Sequence, residues 1–251
     1  LHLEKASGTD TAMSAHIERT IDPKNADRER THLNRELIQF PDGVHNRTQA
    51  IQHRLNNAGL QRKIGKNQVR TIRILLTGSN EDMKQIETTG KLNEWCNDNL
   101  DWLQQTYGKE NIVSAVLHLD ETTPHIHATL VPIVNTERKK KKSEMQVQKN
   151  YRKKNPNASR LSADDIMNRT KLKEYQDTYA EAMAKYGLQR GIDGSEARHI
   201  GTSQYYRELF AKNEELKENI DELLNKQTDA EKKLSQVKSE VSKEKFKNAK
   251  A

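Results

Sequence analysis

The stretch NIVSAVLHLDETTPHIHATLVPIV, from Asn111 to Val134, sets the expected fold. In both of its halves apolar and polar side chains alternate with a period of two, which is typical of a β-strand with one buried face. Asp120 to Pro124 is a polar turn, and Pro124 suits the first position of a returning strand, where no ladder N–H is needed. The sequence therefore predicts a β-hairpin. Its buried face is expected to hold Val113, Ala115, Leu117, Ile126, Ala128 and Leu130.

Three of the nine histidines lie on the polar face of this hairpin. His125 and His127 are separated by about 6.5–7 Å along one strand, and His118 on the neighbouring strand can converge on the same point. Three imidazoles can hold a divalent cation, with Asp120 or Glu121 as a fourth ligand or as an acceptor that orients a ring. Histidines bonded to the backbone are the alternative, although burying three rings together is costly without a ligand.

Further motifs lie before and after the hairpin. They are His16-Ile-Glu-Arg19, His32-Leu-Asn34-Arg-Glu36-Leu, and Arg190-Gly191 followed by Ser195-Glu196-Ala197-Arg198-His199. Together with the segment from His118 to His127 and with Pro132, they resemble the motifs of the MobV (Pre/Mob) family of plasmid mobilisation proteins, which are relaxases of the HUH endonuclease superfamily. Order and separations agree with that family from residue 16 to residue 199.

The resemblance implies a DNA relaxase, an enzyme that nicks and rejoins single-stranded or hairpin DNA at a plasmid transfer origin and so initiates conjugative mobilisation. It implies that His16 is the nucleophile, forming a covalent adduct with the 5′-phosphate, and that Arg19 and Glu121 belong to the catalytic centre. The absence of any tyrosine before Tyr107 supports a histidine nucleophile independently. Thr11 to Thr20 is expected as a short helix or loop that carries His16 and Arg19 on one face, where Arg19 disfavours imidazolium and binds a phosphate oxygen. A plain surface role for His16 is the alternative.

The resemblance also implies a metal site. Phosphoryl chemistry in this family suggests Mn²⁺ or Mg²⁺, whereas imidazole-rich ligation by itself would also suit zinc or nickel. The expected ligands are His118, His125, His127 and Glu121. The residues expected to support the ligands or to contact DNA are Asp120, His32, Asn34 and Glu36. The last three alternate as on a strand, which equally suits a polar edge strand.

Two other functions stay open on the sequence. A rolling-circle replication initiator shares the paired histidines but attacks with a tyrosine, and Tyr175 and Tyr179, on one helical face, are the candidates. The other is a DNA-binding module with a structural metal and no catalytic activity. Metal-dependent nicking of DNA distinguishes an enzyme from this non-catalytic module.

The composition indicates a small core and a polyanionic partner. Of 251 residues, 33% are hydrophobic, and the mean hydropathy is −1.03, which favours one domain with an appendage. The formal charge of +7 suits nucleic acid. No long apolar run or signal peptide is visible, and the single cysteine, Cys96, cannot form an internal disulfide. We expect a soluble protein of the bacterial cytoplasm with no membrane segment.

The densest positive charge follows the hairpin, in the segment 136–157. Such a run cannot fold by itself. Beside a metal site on DNA it would act as a flexible clamp on phosphates, and a solubilising loop is the alternative. The residues expected to contact DNA are Arg138, Lys139, Lys140, Lys141, Lys142, Arg152, Lys153 and Lys154.

The predicted architecture is α+β, with a central antiparallel sheet, flanking helices and a long C-terminal helix. Residues 1–200 are expected to form the nicking domain, with single helices over Asn80–Tyr107 and Leu161–Gly187. Residues 201–251 are expected to form a coiled coil. One seam of the coiled coil consists of Leu209, Leu216, Leu223, Ala230 and Val237. The complementary seam consists of Asn213, Ile220, Gln227, Leu234 and Val241. Homodimerisation and packing against the nicking domain are both compatible with this pattern.

Overall fold

The computed structural model describes residues 1–7, 10–135, 158–191 and 202–248. Its centre is a five-stranded antiparallel sheet in the order β1-β3-β5-β4-β2. The strands are β1 (His2–Ser7), β2 (Arg35–Glu36), β3 (Val69–Leu76), β4 (Ile112–His118) and β5 (His125–Leu130). A separate two-stranded sheet pairs β6 (Ile133–Val134) with β7 (Arg160–Leu161). The antiparallel α+β prediction is confirmed.

Helices lie on both faces of the sheet. They are α1 (Thr11–Ile17), α2 (Arg47–Asn57), α3 (Asn80–Thr88), α4 (Leu92–Tyr107), α5 (Ala163–Ile166) and α6 (Arg169–Met183). The chain divides into two compact units, Leu1–Arg190 and Gly191–Ala251. A further helix, α7, covers Thr202–Asn248 in the second compact unit. The predicted boundary at residue 200 stays a prediction.

The hairpin has the predicted register over most of its length. Leu117 pairs with Ile126 and Ala115 with Ala128, and all four side chains are buried. The expectation for Val113 is wrong, because the register shifts between Ile112 and Ser114. This bulge places Ile112 in the main core and leaves Val113 half-buried against a second apolar cluster.

The two faces of the sheet differ in character. One face packs against α3, α4 and α6 in the main core, around Trp95 and Leu103. The opposite face carries the histidines of β5 and is approached by α1 and α2. Ile51 of α2 belongs to a smaller apolar cluster with Val131, just after β5. The polar face of the hairpin is therefore enclosed by helices.

Two expected helices are each interrupted. Gly90 adopts a left-handed φ of 71°, and it ends α3 and allows α4 to begin at Leu92. Between α5 and α6, the side chain of Asn168 accepts a hydrogen bond from the Lys171 amide at 2.9 Å and caps a new helix. The single-helix predictions are wrong at these two points.

The strand-like alternation expected around His32 is also wrong. Thr31–Leu33 forms a turn of 3₁₀-helix, and only Arg35–Glu36 pairs with β4. The local backbone bond from the Leu33 amide to the Arg30 carbonyl, at 2.9 Å, competes with strand pairing here. His32 is therefore exposed on a turn.

The second compact unit contains α7, on which apolar residues of the predicted seams are exposed. These residues are Leu209, Leu216, Ile220, Leu223, Leu234, Val237 and Val241. Within the described ranges, no helix combines the length and the apolar character that crossing a membrane requires. The basic segment 136–157 and the motif Ser195–His199 lie outside the described residues.

A buried ionic cluster links the start of α1 to α2 and β3. Asp10 accepts hydrogen bonds from Arg47 Nη2 at 2.6 Å and from Arg73 Nη2 at 2.5 Å. Asp10 and Arg47 are 8% and 0% exposed. Removing one partner of such a pair leaves a buried charge without compensation.

We expect Asp10→Asn to lower the free energy of unfolding by about 3–5 kcal/mol, because Arg47 loses its buried counter-charge. Asparagine tolerates the left-handed φ of 51° at this position. Urea unfolding measures the change, with Asp164→Asn as control. Asp164 pairs with Lys5 at the surface, so the control should cost less than about 1 kcal/mol. Equal effects of the two substitutions would contradict the assignment.

Candidate metal centre and active site

The three hairpin histidines converge, as predicted. The ring centroids are 4.8 Å apart for His125 and His127, 4.9 Å for His118 and His127, and 5.1 Å for His118 and His125. One nitrogen of each ring lies within 4.8 Å of the other two. Cross-strand pairing of His118 with His125 brings the two strands' rings together at the end of the hairpin.

The hydrogen bonds of two rings fix their orientation. His118 Nε2 donates to the Ile17 carbonyl at 2.9 Å, and its Nδ1 accepts from Arg19 Nη2 at 3.0 Å. His125 Nδ1 donates to the Thr123 carbonyl at 2.8 Å. The partners of His118 select its neutral form, because a guanidinium cannot accept a proton from Nδ1.

Burial and nearby charges keep His118 and His127 uncharged. Burial lowers the pKa of His118 to about 3, and the nearby Arg19 guanidinium acts in the same direction. Burial and the neighbouring rings of His125 and His118 lower the pKa of His127 well below its usual value. Neutral imidazoles are the protonation state that a metal ion needs.

The two carboxylates of the turn face different partners. Asp120 accepts hydrogen bonds from Arg19 Nε and Nη2, both at 2.7 Å, and from Thr31 Oγ1 at 3.2 Å. Glu121 Oε1 accepts from Arg19 Nη2 at 2.7 Å. The same oxygen lies 3.9 Å from His16 Nε2, His118 Nδ1 and His125 Nε2. Glu121 thus faces the ring nitrogens, and Asp120 holds Arg19.

The segment expected from Thr11 to Thr20 is helical only as far as Ile17, so Arg19 lies beyond the helix that carries His16. α1 ends at Ile17, and Arg19 adopts a left-handed φ of 53°. Its side chain is 7% exposed, and its Nη1 donates to the His16 carbonyl at 2.7 Å. The guanidinium therefore lies between α1 and the hairpin turn. The expected contact of Arg19 with a phosphate oxygen stays a prediction.

His16 lies at the edge of the cluster. Its ring centroid is 5.8 Å from that of His127 and 6.2 Å from that of His118. The side chain is 28% exposed, more than those of the neighbouring histidines His118 and His125. Burial and Arg19 both lower the pKa of His16, which outweighs the opposing charge of Glu121. An accessible neutral imidazole beside a cluster of ligand-type side chains suits nucleophilic attack.

The second motif supports the edge of the sheet. Asn34 Oδ1 accepts from the Leu119 amide at 2.7 Å. Glu36 accepts from the Ala115 amide at 2.6 Å and from Ser114 Oγ at 2.7 Å. Both side chains therefore bind the β4 segment in this structure. A role of His32, Asn34 and Glu36 in supporting the metal ligands or contacting DNA stays a prediction.

The sequence does not reveal two other contributors to the site. Asn25 donates from Nδ2 to Glu121 Oε2 at 2.7 Å, and Arg47 bonds α1 to the sheet. Asn25 lies in a charged loop with no motif, and Arg47 has the appearance of an ordinary helix arginine. No sequence pattern distinguishes either of them.

The two candidate tyrosines lie in the main core, on the opposite face of the sheet. Tyr179 donates from its hydroxyl to Asn99 Oδ1 at 2.9 Å, and its ring lies 5.1 Å from that of Trp102. Burial raises the pKa of Tyr175 to about 12. Buried, protonated phenols are poor nucleophiles, so their placement disfavours the replication-initiator alternative.

In metal-free protein, kept in EDTA, we expect the free energy of unfolding to fall as the pH drops from about 6.5 to about 4.5. Unfolded histidines bind protons near their ordinary pKa, whereas folded His118 and His127 stay neutral, so protons favour the unfolded chain. Each of these histidines adds a slope of up to about 1.4 kcal/mol per pH unit. Urea unfolding at several pH values measures the slope. His127→Gln should make the slope shallower, and an unchanged slope would contradict the pKa assignment.

The sequence of this chain is similar to a known protein family and to known proteins. The family model Mob_Pre, described as plasmid recombination enzyme, matches residues 2–207. A 65 kDa protein of Zymomonas mobilis subsp. mobilis is 32% identical over 207 residues, covering 80% of this chain and 31% of that protein. The Staphylococcus aureus plasmid recombination enzyme type 3 is 29% identical over 210 residues, covering 79% of this chain and 45% of that enzyme. The chain spans less than half the length of these two relatives.

Solved structures of a relaxase domain share the fold. A Mn-bound crystal structure of the MobM relaxase domain (MOBV; Mob_Pre) with 22 nucleotides of plasmid pMV158 oriT DNA, at pH 5.5, has a TM-score of 0.65 and 25% sequence identity, covering 82% of this chain and 96% of that chain. A second, with a 3′-thiophosphate on the DNA, at pH 6.8, gives the same TM-score and identity. Family model, fold and relatives agree, and the chain belongs to the plasmid recombination enzyme family, Mob_Pre.

Proposed function

We propose that this chain is a metal-dependent DNA relaxase that nicks and rejoins single-stranded DNA at a transfer origin. The observation that carries the proposal is the position of His16, a partly exposed imidazole beside three converging histidines. The DNA and manganese in the MobM structures support the substrate and the metal. Residues 1–200 would form the nicking domain.

The residues that would hold the metal are His118, His125, His127 and Glu121. Their placement suits a divalent cation, because one nitrogen of each ring lies within 4.8 Å of the other two and a Glu121 oxygen lies 3.9 Å from His118 Nδ1 and His125 Nε2. A cation on His118 Nδ1 would replace the hydrogen bond from Arg19 Nη2, since Nε2 donates to the Ile17 carbonyl. Three nitrogens and one oxygen suit Mn²⁺ better than Mg²⁺, which prefers oxygen. A bound cation would polarise the scissile phosphate and offset charge on its oxygens.

His16 would attack phosphorus as a neutral nucleophile. Its lowered pKa leaves a lone pair available near neutral pH, and the adjacent Arg19 opposes protonation. The nitrogen–phosphorus bond forms as the bond from phosphorus to the 3′-oxygen breaks, so the 5′-phosphate stays on the protein. The proton on the other ring nitrogen of His16 is released to solvent, and the 3′-oxygen takes up a proton from solvent and leaves as a hydroxyl. The phosphoramidate keeps the energy of the broken ester, and the returning 3′-hydroxyl can reverse the step.

The basic segment 136–157 would hold the DNA by its phosphates, with little sequence information. The residues proposed for this contact are Arg138, Lys139, Lys140, Lys141, Lys142, Arg152, Lys153 and Lys154. This part of the proposal rests on charge alone, because the segment lies outside the described residues.

A parallel homodimer through α7 is the proposed assembly. The apolar residues of its seams are exposed, among them Leu216 at 53% and Leu223 at 64%. Asn213 and Gln227 occupy polar seam positions, and in a parallel pair each would face its own counterpart. An antiparallel pair would set them against the apolar residues of the other seam.

We expect His16→Ala to abolish nicking of a supercoiled plasmid that carries the cognate origin, by about 10³-fold or more, because the nucleophile is lost. Electrophoresis of the relaxed product in Mn²⁺, with an EDTA lane, measures the activity. His53→Ala, an exposed histidine on α2, should retain full activity. Nicking that survives His16→Ala but disappears in the Tyr175→Phe/Tyr179→Phe double variant would overturn the nucleophile.

We expect the protein to sediment as a dimer and Leu223→Asp to sediment as a monomer, because a charge enters the apolar seam. Asn225→Asp adds the same charge on the outer face of α7 and should leave the dimer intact. Sedimentation velocity distinguishes the two masses. A monomeric unaltered protein, or a dimeric Leu223→Asp variant, would contradict the proposed assembly.

A further inference from the structure

Arg47, the first residue of α2, is a fully buried cation whose side-chain donors reach α1, the N-cap residue of α1, and β5. Its Nε donates to Thr129 Oγ1 at 2.6 Å, its Nη1 to Ser14 Oγ at 2.8 Å and its Nη2 to Asp10 Oδ2 at 2.6 Å. Its backbone amide also donates to Glu18 Oε1 at 2.5 Å.

These partners surround the two groups that must meet in the reaction. Ser14 precedes His16 by two residues on α1, and Glu18 directly follows that helix. Thr129 follows His127 by two residues on β5 and therefore lies on the same face of the sheet. One guanidinium thus connects the helix of the nucleophile to the strand of two metal-ligand candidates.

Neither phosphate binding nor stability explains why a buried cation occupies position 47. With 0% exposure its guanidinium cannot reach a phosphate. Burying a charge is costly, and an apolar side chain of similar size often stabilises a core equally well or better. Asp10 does not require Arg47 for neutralisation, because Arg73 also bonds to it. The retained charge therefore points to a requirement for geometry.

We propose that Arg47 is a positioning residue that sets the distance between His16 and the histidine cluster. The proposal rests on the proposed function, in which His16 attacks DNA. α1 has seven residues, and a helix this short is held by tertiary contacts more than by its own hydrogen bonds. A misplacement of about 1 Å can slow a reaction about 100-fold, so a loosened Arg47 would reduce the rate of the chemical step.

Thr129→Val tests this inference without removing the charge. Valine keeps the shape of threonine but cannot accept from Arg47 Nε, so the guanidinium turns toward other acceptors and shifts Ser14 and α1. We expect kcat for formation of the covalent adduct with an origin oligonucleotide to fall about 10-fold. The KM for the oligonucleotide and the Mn²⁺ dissociation constant from calorimetry should change by less than about twofold, because no proposed ligand changes. Thr129→Ser restores the acceptor and should restore kcat.

Thr71→Val is the matched control. Thr71 is 1% exposed on β3, and its hydroxyl has no hydrogen-bond partner among the described residues. Its kcat should equal that of the unaltered protein. A normal kcat in Thr129→Val, equal losses in Thr129→Val and Thr71→Val, or failure of Thr129→Ser to recover would overturn the inference. Absence of adduct from the unaltered protein would instead overturn the proposed function, and this inference with it.

Discussion

The ion pair between Arg19 and the hairpin turn is the interaction on which the rest of the site depends. Among the described residues, the non-glycine residues with positive φ are Asp10 and Arg19, at the two ends of α1. Left-handed backbone is unfavourable at such residues unless the surroundings hold it. Asp10 is held by the buried Arg47 and the half-buried Arg73, and Arg19 is held by Asp120 and Glu121. The helix that carries His16 is therefore fixed at both ends, independently of its own short run of backbone bonds.

The same ion pair adds to the effect of burial on the pKa of His118 and of His16. Arg19 places a positive charge within hydrogen-bond distance of His118 and opposes protonation of His16. Burial is the larger effect, and it lowers the pKa of His118, His127 and His16. Both nitrogens of His118 are hydrogen-bonded here, so a cation on its Nδ1 would replace the bond from Arg19. Neutral buried imidazoles reduce stability at low pH. A site arranged for chemistry commonly carries such a cost in stability.

The sequence was sufficient to predict the structure where local periodicity decides it. Alternation in β4 and β5 predicted the hairpin, its register and the convergence of His118, His125 and His127. It was insufficient where partners are distant in the chain, as for Asp10 and Arg47, or where one residue changes the backbone, as at Gly90. The bulge near Val113 has no sequence signal, because a register shift depends on the partner strand. Alternation also could not choose between Asp120 and Glu121, since the turn breaks the period.

The most direct test of this account is to locate the DNA on the protein. Covalent complexes formed with an origin oligonucleotide in Mn²⁺ would be digested with nuclease and protease at neutral pH, because a phosphoramidate is labile in acid, and the modified peptide would be sequenced by mass spectrometry. The account predicts a nucleotide 5′-phosphate on the imidazole of His16. A nucleotide on Tyr175 or Tyr179, or on any other side chain, would contradict it.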